Sequence, residues 1–150
     1  MTARQCHSER TECPIAHALD IIGDRWTLLI VRDLLLKGIH EYKDLLQSVV
    51  GISTNILSER IKRLEDAGLL KSIEHPENKS RKIYYLTPTG KDLIYSLVEL
   101  ARWAHKNLDT VLLPPELAKK LDKNPQSIIK SALKALEGWE IKNLRIALKS

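Results

Sequence analysis

Phenylalanine is missing from this chain altogether, and aromatic residues make up only 5% of its 150 positions. Any core must therefore be built mainly from Leu, Ile and Val. Glycine and proline number six each, too few for a collagen-like or low-complexity chain. No apolar run approaches the roughly 18 residues that a membrane span needs. The first dozen residues, MTARQCHSERTE, lack the apolar stretch of a secretory signal. Both absences point to a cytoplasmic protein without membrane contact. Only Cys6 and Cys13 carry thiols. In a reducing compartment they read as reactive or structural thiols rather than as a staple.

Signatures of catalysis are absent as well. There is no nucleophile elbow, phosphate loop or H-E-x-x-H, and acids and histidines are scattered, so an enzyme is not expected. Cys6, His7, Cys13 and His17 include thiolate and imidazole donors, but their spacing matches no compact zinc signature. No metal or cofactor is assigned. His17 reads equally well as a core or interface imidazole.

What the chain does have is helical periodicity. Hydrophobic content of 43% and charged content of 29% are ordinary for a globular protein. Cys13-Pro14 opens a first helix, PIAHALDII, with Ile15, Leu19 and Ile22 on one side and Gly23 at its end. RWTLLIVRDLLLKG gives a second helix with Trp26, Leu29, Ile30 and Leu34 as its stripe and Gly38 as its stop. A short link, IHEY, leads to a third helix in KDLLQSVVG.

Gly51 supplies a corner, Ser53 an N-cap, and a fourth helix runs to Ala67-Gly68. LLKSIEH and KIYYLT read as two strands joined by the polar segment PENKSR, residues 76–81. Thr87-Pro88 then caps a long helix of five turns whose stripe runs through Leu93, Leu97, Leu100, Ala104 and Leu108. Pro114-Pro115 marks the best boundary, dividing residues 1–113 from an extension, 114–150. Two short amphipathic helices, SIIKSALKALEGW and EIKNLRIALK, are expected beyond it.

The order predicts a mainly α fold with a small β-hairpin: a winged helix-turn-helix with a three-helix core, a long C-terminal helix and a helical tail. On the fourth helix the apolar set, Ile52, Ile56, Leu57, Ile61 and Leu64, seals the interior. Ser53, Thr54, Asn55, Ser58, Lys62 and Arg63 are left to face outward. B-DNA's major groove accepts a single helix, short polar side chains meet base edges, and Arg reaches guanine. Lys79, Arg81 and Lys82 would sit at the hairpin tip, on backbone or minor groove. A solvated helix face and an ordinary charged β-turn are the plainer readings of the same residues. Net charge does not decide between them. The formal charge is +5, but the stretch from Leu113 onward holds eight Lys/Arg against four Asp/Glu, leaving sixteen against fifteen before it.

CPIAHALDIIGDRWTLLIVRDLL, GISTNILSERIKRLEDAGLL and YYLTPTGKDL together resemble the HxlR-type winged helix-turn-helix transcription regulators, over about residues 13 to 110. RKIYYLT departs from that family's usual pattern: it lacks the proline and has Tyr84 where a glutamate falls. The resemblance implies a homodimeric regulator of double-stranded DNA, more often a repressor, with the first and long helices as interface. Ile15, Leu19, Leu93, Leu97, Leu100 and Trp103 are the interface candidates, and the long helix has more apolar surface than a small domain buries alone. An intrachain anchor is the other reading of Trp103.

In redox-sensing members of the family a cysteine at the Cys-Pro position resembles the sensing thiol. That makes Cys13 the candidate sensor and Cys6 its resolving partner, with an oxidant as effector. Two other functions stay open: a winged-helix protein–protein interaction module, and a regulator with a small-molecule effector in the dimer crevice near Trp26 and Trp103. In the tail, Trp139, Ile141 and Leu144 could pack back, extend the interface, or bring Lys130, Lys134 and Lys142 to DNA.

Overall fold

The computed structural model describes residues 11–147. Four helices come first: α1 (Pro14–Ile22), α2 (Thr27–Leu36), α3 (Tyr42–Ser48) and α4 (Thr54–Asp66). The strands β1 (Leu70–His75) and β2 (Asn78–Leu86) follow, then α5 (Pro88–Lys91), α6 (Leu93–Asn107), α7 (Pro115–Lys123) and α8 (Pro125–Ala147). This is the expected helix-turn-helix and wing.

Packing explains α2 and α4. In α2, Ile30, Val31, Leu34 and Leu35 are buried, and Trp26 and Leu29 pack partly buried beside them. Leu57, Ile61 and Leu64 of α4 face the same core. The turn before α4 needs Gly51, whose φ of +83° is strained for any side chain. Ser53 then caps α4 by accepting from the Ile56 N–H at 3.2 Å.

The strands are antiparallel, with Leu70 opposite Leu86 and Ile73 opposite Ile83. The link before α3 joins them: Glu41 bridges Ile83, and the Tyr84 N–H donates to the His40 carbonyl at 2.8 Å. The wing differs from expectation at its end. The turn is not residues 76–81 but only Pro76 and Glu77, because β2 already begins at Asn78. Asn78 Oδ1 accepts from the Ser80 N–H at 3.0 Å, and the register slips between Glu74 and His75. This irregularity absorbs the polar residues into the strand.

The long helix is broken at Asp92. Its first turn is fastened to the hairpin base, where Thr87 Oγ1 donates to the Gly68 carbonyl at 2.7 Å and the Thr87 N–H to the Leu69 carbonyl at 3.0 Å. The side of α6 that enters the core is set by Ile94 and Val98; Leu93 and Leu97 are partly buried, and Leu100 and Leu108 are exposed.

Beyond Pro114 the expected pair of short helices is one helix of 23 residues, α8, preceded by α7. Gly138 does not stop it. A helical glycine costs only about 1 kcal/mol, and the neighbouring turns are anchored. Leu136 is buried, and the Trp139 ring stacks on His40 with centroids 3.5 Å apart and planes 12° apart. Lys91 Nζ lies 2.6 Å from Glu140 Oε1. Leu121, Ile129 and Leu136 belong to the same apolar cluster as α2 and α4. The tail therefore packs back, while Lys130, Lys134 and Lys142 stay exposed.

Candidate nucleic-acid interface

At about 100° per residue, Asn55, Ser58 and Lys62 of α4 fall on one face, opposite its buried side. All three are exposed, as are Ser53 and Thr54. They are short donors and acceptors with one cation on a helix whose position is fixed from below. Tyr42, at the start of α3, adds a lateral clamp. Its hydroxyl donates to the Thr54 carbonyl at 2.9 Å and lies 2.9 Å from Ser58 Oγ. The first two turns of α4 are thus held from the helix before the turn.

Arg63 is placed differently from the expectation of a base reader. Its guanidinium donates to Glu59 Oε1 at 2.8 Å and to Asp24 Oδ2 at 3.4 Å, and its side chain is 24% exposed. Arg60 is held in the same way, donating to Asp24 Oδ1 at 2.9 Å and pairing with Glu59. Burial would push the Asp24 carboxyl up. The Thr27 hydroxyl, the Arg60 guanidinium and the backbone N–H groups of Trp26 and Thr27 outweigh it and hold the group at about 2. Asp24 also performs the capping of α2 that Trp26, at the N-cap, has no side-chain oxygen to do.

The basic residues of the hairpin are likewise rearranged. Lys79 stands next to the turn, whereas Arg81 and Lys82 lie along β2 rather than at a tip. Arg81 pairs with Glu41, and Lys82 faces Glu74 in the register. Beside them Glu41, Tyr42 and Lys43 at the start of α3 and Ser80, Arg81, Lys82 and Tyr84 of β2 line an open cleft of about 460 Å³. Through Tyr42 the cleft borders the exposed face of α4. Lys43 and Lys82 reach solvent there, and a phosphate in the cleft would meet two ammonium groups beside a Glu41 carboxylate that Arg81 already pairs.

Tyr42, Lys43, Asp24 and Arg60 are the site residues that reading the sequence missed. Asp24 had a faint signal, since an Asp just before an apolar run is a favoured helix-capping residue. Tyr42 had none, because its partners lie 12 and 16 residues away.

The other candidates lie elsewhere. Ile15 and Leu19 of α1 are 68% and 53% exposed, and Leu100 and Trp103 of α6 are 51% and 59% exposed. Leu93 and Leu97 pack against the chain's own core. Cys13 is exposed at the N-cap of α1, its backbone N–H donating to Thr11 Oγ1 at 3.1 Å. Cys6 and His7 lie outside the described residues. No described helix is long and apolar enough to cross a membrane.

Residues 21–111 match the HxlR-like helix-turn-helix family. The HTH-type transcriptional regulator YvaP of Bacillus subtilis is 37% identical over 102 residues, 67% of this chain and 94% of that protein. The HTH-type transcriptional regulator Mb3122 of Mycobacterium bovis is 33% identical over 101 residues; the match covers 67% of this chain but only 63% of that longer relative. Among solved structures, the reduced form of the transcriptional regulator YodB from Bacillus subtilis superposes with a TM-score of 0.54 at 29% identity, covering 68% of this chain and all of that one.

Proposed function

Because the chain belongs to the HxlR-like helix-turn-helix family, we propose that it is a sequence-specific regulator of transcription that binds double-stranded DNA as a homodimer, and not an enzyme. The observation that carries this reading is the exposed face of Asn55, Ser58 and Lys62 beside a cleft walled by Lys43 and Lys82. The α4 face would enter the major groove, with Ser53, Thr54, Asn55 and Ser58 on bases or phosphates. Lys43, Lys62, Lys79 and Lys82 would hold the backbone, and the Arg81–Glu41 pair would keep the wing in place. Of the described residues, those up to 113 would form the DNA-binding unit and those from 114 onward a helical extension that braces it.

Two copies would pair through α1 and α6, whose Ile15, Leu19, Leu100 and Trp103 leave apolar surface in solvent. Two copies of α4 would then read half-sites about one turn, roughly 34 Å, apart. Such a protein works in the cytoplasm and would act as a repressor, by occupying a promoter. The exposed Cys13 thiol suits an oxidant as effector, and YodB, a relative by fold, was solved in a form named reduced. Duplexes enriched from a random pool test the reading: a protein that enriches no sequence is not a sequence-specific regulator. Repeating the titration with a thiol oxidant, and with Cys13→Ser, tests the redox arm. Unchanged affinity in the oxidised wild type removes it.

A further inference from the structure

The corner between α1 and α2 grips α4 at two points. Asp24 Oδ1 takes Arg60 Nε at 2.9 Å, and Oδ2 faces Arg63 Nη1 at 3.4 Å. The carboxylate is almost out of solvent, with 8% of its side chain exposed, and it is itself fixed by the Trp26 and Thr27 N–H groups at 2.9 and 3.1 Å. A buried carboxylate so bonded does not move without cost, so the two guanidiniums are pinned to a rigid point. The corner has little freedom of its own. A Cβ at Gly23 would stand 2.1 Å from the Leu19 carbonyl oxygen, so the chain can turn from α1 into Asp24 only with glycine there.

On α4 the grip has a definite direction. Arg60 and Arg63 share one flank, between the buried side and the face of Asn55, Ser58 and Lys62. Leu57, Ile61 and Leu64 seat the helix on the core, and two contacts on one flank add a constraint on its roll about its own axis. Together with Glu59, which bonds Arg63 at 2.8 Å and pairs with Arg60, they also occupy the two cations that would otherwise be drawn to phosphate.

We propose that Asp24 is a positioning residue for DNA reading: it sets the roll of α4, so that Asn55 and Ser58 present squarely to the groove, and it withholds Arg60 and Arg63 from the duplex. This deepens the DNA-binding reading and rests on it. Asp24 touches no DNA. Its effect is on which sequences are preferred, and specificity then resides in the first two turns of α4 rather than in its arginines.

The test uses the full chain. A duplex is selected by the wild-type protein from a random 30-base-pair pool, and a scrambled duplex of equal length is the control. Asp24→Asn keeps an oxygen for the α2 backbone donors and removes the charge. We expect its preference for the selected duplex to fall roughly tenfold, the discrimination of about one good base contact. Glu59 still pairs with both arginines in this variant, so on the scrambled duplex log affinity against log salt should steepen by up to about 0.9 for each guanidinium that exchanges onto a phosphate. Arg60→Gln breaks the grip from the other end. It should lose preference without steepening the slope, and Asp24→Glu should restore part of the preference.

A general loss of stability would not steepen the salt slope, which separates positioning from mere folding. If Asp24→Asn fails to fold, Arg60→Gln and Asp24→Glu decide. Wild-type preference and slope in Asp24→Asn and Arg60→Gln overturn the proposal while leaving DNA binding intact. A wild-type protein that enriches nothing sinks the DNA-binding reading and this proposal with it.

Discussion

The two halves of α4 carry similar polar residues and put them to different uses. In the first half, Ser53, Thr54, Asn55 and Ser58 stand in solvent, with Tyr42 steadying them from the side. In the second half, the arginines that look most suited to guanine are bound to Asp24 and Glu59. The difference teaches that a cation's type and spacing do not say which surface it serves. A carboxylate 36 residues upstream of Arg60 and 39 upstream of Arg63 makes both arginines fasteners. On the proposed DNA-binding reading, base contacts would then fall to the short side chains, which must be held accurately to read at all.

Breaking the helix from beneath should have the largest effect. Leu57 is fully buried between the halves, and Leu57→Ala should cost about 2–5 kcal/mol of stability, read as a lower thermal midpoint. Asn55→Ala, on the exposed face of the same turn, should change stability by no more than about 0.5 kcal/mol. Comparable midpoints for the two variants would mean that the inner and outer faces are misassigned.

Acid titration sharpens the second half. The folded Asp24 carboxyl sits at about 2 against an ordinary 3.8, so the unfolded chain takes up its proton first as pH falls. The stabilisation, about 2 kcal/mol, is present above pH 3.8 and is lost as pH drops toward 2. Asp24→Asn should flatten unfolding free energy against pH over that window, and an unchanged curve would mean that Asp24 is not held as described. His40 works at higher pH with the same sign. Burial, opposed by the Tyr84 carbonyl and by Glu140, lowers its folded value below the ordinary 6.5. Stability should therefore decline as pH falls below 6.5, and His40→Gln should remove that decline.

The proposed dimer can be broken without touching α4. Trp103→Glu places a charge on the most exposed aromatic of α6, 59% open in the single chain, and should shift sedimentation toward monomer. A monomeric wild type would remove the paired half-sites from the account. The smallest effect belongs to the wing, where Lys79→Ala should reduce the salt slope by about 0.9 and weaken all duplexes alike.

Much of this architecture is legible in the sequence. Ser53 announces the start of α4, and the stripes of α2 and α4 name their own buried residues, because local periodicity and capping chemistry are written in neighbouring positions. What could not be read depends on distant partners. Asp24 meets Arg60, and Trp139 meets His40 across almost a hundred residues. The break expected near Trp139 does not occur, since packing of Leu136 and Trp139 offsets the weak helix propensity of Gly138. Likewise residues 78–81 look like a turn in sequence, but β2 already begins at Asn78, which pairs with His75.

The central claim, that the opening turns of α4 read bases while its arginines do not, is tested most directly by comparing Asn55→Ala with Arg63→Ala across every single-base variant of a selected duplex. Asn55→Ala should relax preference at one position by about 1–3 kcal/mol, and Arg63→Ala should lower discrimination diffusely, singling out no base. Loss of a particular guanine preference in Arg63→Ala, with Asn55→Ala unchanged, would contradict the account.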